Sequence, residues 1–574
     1  MVFDWLNHKL KRPTTEELHF LASEEGIEEF LAGLPASQPG LALSQVCDGL
    51  DSALGANVEP KAFRRALRIL DKGAQEQVAE LTHTLFRDSR GDQVAEGSWA
   101  ALNMYLNRMP SFYRHAIEQL PTKANWDDDD REFALLMTCR AMRLMASRKK
   151  LLHFAYRTVD ADLWGHMNRV YARSKVFGLH RTLTEPYAGS GESTSVHNEF
   201  VAGMLFETAP LGGLLPTQME CLDIFLRTNA AILASADKPA SERPFFVDTS
   251  KNQPPQRWLE GLGTRANLHF FGAGKAYAII ESLRAEAHAA TEVPDWAVPS
   301  NCDLRGYRGL LDSLVNYWSM QPPQRRHRRN TSAAEVLVAH GFAQVRRMVA
   351  ITETAHSGQV FAGFETDKLM DDKYFNRIRF GSVNPDQTGK GKKVVPEPKK
   401  LSPKEILETL ETRGEKELLQ RWIVLDTSDS GFGVLVPGRA PWAKLGVLVA
   451  YRLVDSLKWE VSIVRRLGRN AENKMTVGLE RLAGDAKSAR ARQVHGAIPA
   501  TWENLTLGGD NSQEAVLIEG DTKLMLLQPG RYGESDYFIV SSGTQRYPVQ
   551  INGVLPAGSD YQILTYSKTG GYVG

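Results

Sequence analysis

The sequence predicts an α+β protein: a large all-helical N-terminal region, then a small antiparallel β-barrel with an insertion, then a C-terminal β module. Three observations carry this. Apolar residues recur at helical intervals over most of residues 14–289. Short apolar runs separated by turn residues take over beyond residue 420. Between them, Ser382 to Lys404 holds six lysines, several Pro and Gly and few apolar side chains, as a solvated loop does. The expected boundaries are 1–320 for the helical region, 321–495 for the barrel with an insertion at about 352–418, and 496–574 for the β module.

A chain of 574 residues exceeds what one hydrophobic core organises. Hydrophobic content of 42% and charged content of 24% are those of a globular protein. The net charge of +1 argues against wholesale attraction to nucleic acid or an anionic membrane, so electrostatic function must be local. No apolar run approaches the ~18 residues that span a bilayer, and Met1 to Trp5 lack a signal-peptide pattern. The expected location is the cytoplasm. Cys47, Cys139, Cys221 and Cys302 are scattered, with neither C-x-x-C nor a metal-spaced His, which favours buried reduced thiols over disulfides or zinc.

In the helical region, Thr14 and Glu17 have capping-box spacing ahead of Leu18, Leu21 and Ile27. Lys61 to Leu70 places Phe63, Leu67 and Leu70 on one face and its arginines largely on another. Pro and Gly at Leu34-Pro35, Gln38-Pro39-Gly40 and Met109-Pro110 suit short connections. Asp127 to Asp130, four carboxylates ahead of an apolar run, read as a helix cap rather than a cation site, because consecutive side chains on a helix point apart. Asp162-Leu163-Trp164-Gly165 before Val170-Tyr171-Ala172 faintly suggests a helical-hairpin repeat, but no fixed period supports one. Gly189-Ser190-Gly191 and Gly272-Ala273-Gly274-Lys275 lack the residues that complete a phosphate loop and read as turns, the second opening a helix from Ala276 to Ala289. No nucleophile elbow, H-E-x-x-H or paired carboxylate is found, and the chain is not expected to be an enzyme.

Beyond residue 325 the expected elements are a strand over Glu335–Ala339, a short helix from Phe342 and a charged helix over Leu401–Leu419. A strand over Arg421–Leu425 should end in a turn from Asp426 to Gly431 and resume over Phe432–Val436. Further strands are expected over Leu445–Leu453, then a hairpin through Gly468-Arg469-Asn470. The tail offers strands over Ala515–Ile518, Leu524–Leu527, Tyr537–Val540, Tyr547–Ile551 and Tyr561–Tyr566.

Two clusters carry chemistry. Arg325-Arg326-His327-Arg328-Arg329 gives R-x-x-x-R on Arg325 and Arg329, and Asp426, Ser428 and Gly431 give D-x-S-x-x-G. An arginine fork matches both phosphate and the O6/N7 edge of guanine, while a carboxylate complements the donors on guanine's opposite edge. Asp426 and Ser428, two apart, share one side of an extended strand end. Gly431 is expected to supply a positive φ and let the backbone come close.

In this order and strand context, the two motifs resemble the PilZ family, small β-barrel receptors for the bacterial second messenger cyclic di-GMP. The resemblance covers about residues 325–490. It implies that Arg325 and Arg329 clamp guanine and phosphate, that Asp426 and Ser428 bind the guanine edge, and that Arg326 and Arg328 are auxiliary phosphate contacts. It requires the segment between Arg329 and Asp426 to include an insertion looping out between early strands.

The expected function is a bacterial cyclic di-GMP receptor that relays binding through the helical region to an unidentified protein partner, with no cofactor or metal. One alternative is a protein–protein scaffold whose PilZ-like domain is degenerate. The other is a nucleic-acid-binding protein using Arg325 to Arg329 with Lys390 to Lys404, which neutral charge and the lack of interleaved aromatics argue against.

Overall fold

In a computed structural model, residues 19–87, 96–189, 191–259, 265, 267–321, 329–357, 419–438, 440–454, 456, 458–482, 484–494, 512–543, 545–556 and 558–569 are described. The Thr14/Glu17 capping box and the helix expected up to Leu419 lie outside them. The chain divides into two compact units, Met1–Arg326 with Arg466–Lys474 and His327–Arg465 with Met475–Gly574.

The first unit is built on helices α1 (Glu24–Ala32), α2 (Pro39–Gly55), α3 (Pro60–Gly73), α4 (Gln75–Arg87), α5 (Glu96–Glu118), α6 (Asp128–Phe154), α7 (Ala161–Phe177), α8 (Val196–Glu207), α9 (Pro216–Thr228), α10 (Lys275–Ala289) and α11 (Leu304–Trp318). Their apolar faces share one core that runs from Leu21 to Trp318. Asp127 caps α6, its carboxylate accepting from the Asp130 amide at 2.7 Å, and Asp130 pairs with Arg64 at 3.2 Å. The acidic run is therefore a cap, and no cluster of metal-ligating side chains occurs among the described residues. The Gly189 and Gly191 amides donate to Glu185 Oε1, so this loop holds the chain's own carboxylate. All four cysteines are buried and free.

The helical pattern conceals a four-stranded sheet. Strands β1 (Ala234–Ala236), β2 (Phe245–Asp248), β3 (Gln256–Arg257) and β4 (Leu268–Gly272) order as β1-β4-β2-β3. Gly272 ends β4, and Gly274 (φ +56°) turns the chain into α10, where a Cβ would lie 2.7 Å from the Ala234 amide nitrogen. A chain of hydrogen bonds, buried at Tyr171, His197 and His269 and reaching the surface at Asp237, ties sheet to helices: Ser235–His197 (2.7 Å), His197–Tyr171 (2.9 Å), Tyr171–His269 (3.5 Å) and His269–Asp237 (3.3 Å).

Helix α6 carries four buried cations, each matched by an acid: Arg140 with Asp71 (3.0 Å), Arg143 with Glu199 (2.8 Å), Lys149 with Glu207 (3.3 Å) and Lys150 with Asp223 (2.6 Å). Burial opposes ionisation of Glu207, yet His153 and Lys149 hold its carboxyl down at about 2. Because α6 is almost wholly enclosed, its polar residues need partners on α3, α8 and α9, and that fixes its neighbours.

The second unit opens with β5 (Asn330–Thr331), β6 (Glu335–His340) and α12 (Phe342–Ser357). Strands β7 (Gln420–Ser428), β8 (Gly431–Leu435), β9 (Leu448–Leu453), β10 (Glu460–Arg469) and β11 (Met475–Arg481) follow. The sheet order β5-β7-β6-β9-β10-β11-β8, with an added β7–β8 pairing, closes a barrel of six strands with β5 alongside β7. Strands β12 (Asp485–Val494), β13 (Ser512–Glu519), β14 (Lys523–Leu527), β15 (Tyr537–Ser542), β16 (Gln545–Leu555) and β17 (Gln562–Lys568) form a second closed barrel. A shared core joins them: Phe342, Val345 and Val349 of α12 pack with Leu448, Ala450 and Ile463 of the first barrel and Val516, Leu526 and Ile563 of the second. Strand β12, rich in Ala and Arg, escapes a search for apolar runs, because its inward positions are the small Ala489 and Ala491.

Candidate functional site

Strand β7 alternates as a barrel strand should: Trp422 and Val424 are buried while Arg421 and Leu425 are exposed. Continued unbroken, that alternation would send Asp426 into the barrel with Trp422 and Val424. A register shift between Val424 and Asp426 prevents it. Val424 pairs with buried Val434, whereas Asp426 pairs with Gly433 and Thr427 with buried Phe432. The bulge thereby resets the phase, and Asp426 and Ser428 emerge together on the outer face. The strand runs on to Ser428, so only Asp429 and Ser430 form the turn that was expected to begin at Asp426.

Gly431 behaves differently from expectation. It does not adopt a positive φ. Its constraint is the close approach of β11: a Cβ there would fall 2.0 Å from the Leu479 carbonyl oxygen. The turn is further held by the Arg481 amide, which donates to the Ser430 carbonyl at 3.0 Å. Ser428 Oγ donates to the Gly431 carbonyl at 3.0 Å.

Arg329 and Asp426 are brought together although a long stretch of chain separates them. Strand β5 pairs antiparallel with β7, Asn330 opposite Thr427 and Thr331 opposite Asp426. This register delivers Arg329 to the motif, with Nη1 at 2.8 Å from Asp426 Oδ2. Both side chains are about one-third exposed, at 32% and 28%. Asp426 Oδ1 is buried and accepts no hydrogen bond among the described residues. A carboxylate with one oxygen on a guanidinium and the other unsatisfied is primed to accept from a further N–H donor. Arg325, Arg326 and Arg328 lie outside the described residues.

Beside this site, Arg481 Nε lies 2.9 Å from the Tyr451 hydroxyl and 3.0 Å from Glu460, and Tyr451 also bonds Glu460. Burial and the Glu460 hydrogen bond raise the Tyr451 phenol far above its ordinary value. Sequence spacing does not connect these three residues; only the β9-β10-β11 pairing does.

Among the described residues no helix is long and apolar enough to cross a membrane. No curated protein matches the chain, and no solved structure does. Residues 25–234, less than half of the chain, match the family model described as "Cyclic-di-GMP receptor FimW, N-terminal domain". That segment lies within the first unit and ends in the sequence before the arginine and D-x-S-x-x-G motifs. The helical region of this chain is thus similar to the N-terminal domain of a cyclic di-GMP receptor.

Proposed function

We propose that the protein is a receptor for cyclic di-GMP, that the first barrel of the second unit is its PilZ-like binding domain, and that the helical region passes the signal to a protein partner. The observation that carries the reading is the meeting of Arg329 with Asp426, whose second oxygen awaits a donor. A guanine edge presents N–H donors of the required kind, and Arg329 can turn from Asp426 to a phosphate or to the base's acceptors. The family match supports the same ligand from a different part of the chain. Two unrelated segments therefore point to one second messenger. Arg325 and Arg329 clamp the ligand in this reading, Arg326 and Arg328 assist at phosphate, and Asp426 and Ser428 take the base. The role is binding rather than catalysis.

The test is a calorimetric titration of Arg329→Ala and Arg325→Ala with cyclic di-GMP, beside circular dichroism for the fold. Both variants should keep the wild-type spectrum and lose binding. Wild-type affinity in both would remove the arginines from the site.

A further inference from the structure

Two of the cysteines in the helical unit are neighbours. Thr217 and Cys221 stand one turn apart on the buried face of α9, with buried Gln218 beside Thr217. Gln218 Nε2 donates to the Gly306 carbonyl at 2.7 Å, which ties this face to the first turn of α11. Cys302 lies just ahead of that turn. A Cβ on Gly306 would fall 3.1 Å from Cys302 Sγ and 3.5 Å from Gln218 Cγ, so the Cys302 thiol and the α9 face crowd the same glycine. Across this contact the Cys302 thiol hydrogen-bonds with Cys221 and with Thr217.

Cys302 is the outer member of the pair. It is buried, but Asn301 and Asp303 on either side of it are exposed, so the thiol lies one residue beneath the surface. Tyr307 of α11 lies close by and is 2% exposed, yet its hydroxyl has no hydrogen-bond partner among the described residues. Burial, with Cys221, Glu286 and Cys302 nearby, raises its phenol far above the ordinary value. A buried hydroxyl left without a partner is costly, and this one can both donate and accept. A hydroxyl carried by an oxidised Cys302 sulfur would supply what it lacks.

We propose that Cys221 and Cys302 are an oxidation site of the helical unit, closing into a disulfide when a peroxide reaches Cys302, and that this bond clasps α9 to the entry of α11. In the first step the Cys302 sulfur attacks one peroxide oxygen: the S–O bond forms, the O–O bond breaks, and hydroxide leaves with the thiol's proton as water. The Cys221 sulfur then attacks the Cys302 sulfur: the S–S bond forms, the S–O bond breaks, and a second water carries off the Cys221 proton. Each sulfur loses one electron and the peroxide is reduced to water. Sulfurs already in hydrogen-bond contact need only a short approach to the ~2 Å of a disulfide. The hydrogen bond to Cys221, then burial, raise the Cys302 thiol far above its ordinary value, so the resting pair is protonated and slow to react. Local opening of α9 from α11 quickens it.

The experiment treats the full-length protein with hydrogen peroxide, with and without sub-denaturing urea, blocks the remaining thiols and maps disulfides by mass spectrometry under non-reducing conditions. A Cys221–Cys302 disulfide should appear and be reversed by dithiothreitol. The thermal midpoint should rise on oxidation and fall back on reduction, since the bond closes a long loop of chain. Cys221→Ser should form no disulfide, and dimedone, a trap for sulfenic acids, should label its Cys302. Cys47→Ser should oxidise as wild type does. If Cys221→Ser does not fold, the wild-type map decides. Free thiols throughout in both urea conditions, oxidation confined to single cysteines, or a disulfide of another pairing overturns the proposal. A Cys221–Cys302 disulfide that leaves the midpoint unchanged overturns the clasp.

Discussion

Replacing Asp426 with Asn separates stability from binding. In the free protein this carboxylate makes one ion pair, with an arginine that is 32% exposed, while the acid itself is 28% exposed. Pairs so placed contribute about 0–1 kcal/mol, because solvent screens them. Asp426 also lies after the bulge on the outer face, so the isosteric amide opens no cavity in the barrel. The thermal midpoint should therefore shift by only a few degrees at most. Binding should respond otherwise. A hydrogen bond from ligand to a carboxylate is worth about 1.5–3 kcal/mol, and an amide rotated toward a guanine donor edge sets N–H against N–H. Together these predict a loss in affinity on the order of 10- to 150-fold. Differential scanning calorimetry and isothermal titration on the same preparation supply both numbers. An affinity within threefold of wild type would refute the role given to Asp426. A large fall in melting temperature would refute the claim that the pair is structurally dispensable.

Three other outcomes follow from the packing. Gly431→Ala drives a Cβ to 2.0 Å from the Leu479 carbonyl, so β8 and β11 must separate; chemical denaturation should show a loss of about 1–3 kcal/mol, and unchanged stability would contradict the close approach. Asp71→Ala strips Arg140 of its carboxylate (3.0 Å) and Tyr105 of its acceptor (2.7 Å) in a fully buried setting, which should cost about 3–5 kcal/mol in the helical unit, with Asp71→Asn milder; equal effects would show that charge is not the issue. Burial, reinforced by nearby Arg181, pulls His197 down to about 3 from its ordinary value of 6.5. Between those values the unfolded chain binds a proton that the folded one refuses, so stability falls as pH drops below 6.5, by up to about 1.4 kcal/mol per pH unit. Urea melts at pH 6.5 and 5 should show a loss about 2 kcal/mol larger for wild type than for His197→Gln; parallel losses would exclude His197 as the cause.

Much of this architecture is legible in the residues. Helices such as α3 announce themselves through Phe63, Leu67 and Leu70 on one face, and most barrel strands through short apolar runs bounded by Gly, Pro or Asn. What stayed hidden depends on register. Alternation along β7 argues for an inward Asp426, and only the pairing with β8 shows the bulge that reverses it. Gly431 and Gly433 are unremarkable in sequence, and only strand register sets the first against the Leu479 carbonyl and the second beneath the Asp426 carboxylate. The Ser235–His197–Tyr171–His269–Asp237 chain joins residues with no common spacing. Strands β1 to β4, none longer than five residues, give too little periodicity to stand out from surrounding helices.

The most direct test of the central claim is a calorimetric comparison of cyclic di-GMP, cyclic di-AMP and GTP against the wild-type protein. Adenine lacks guanine's N1–H and N2–H donors, and GTP lacks the second base and the cyclic diphosphate. Saturable binding of cyclic di-GMP alone is the expected result. Equal binding of cyclic di-AMP would show that Asp426 does not read the base, and no binding of any of the three would contradict the receptor assignment itself.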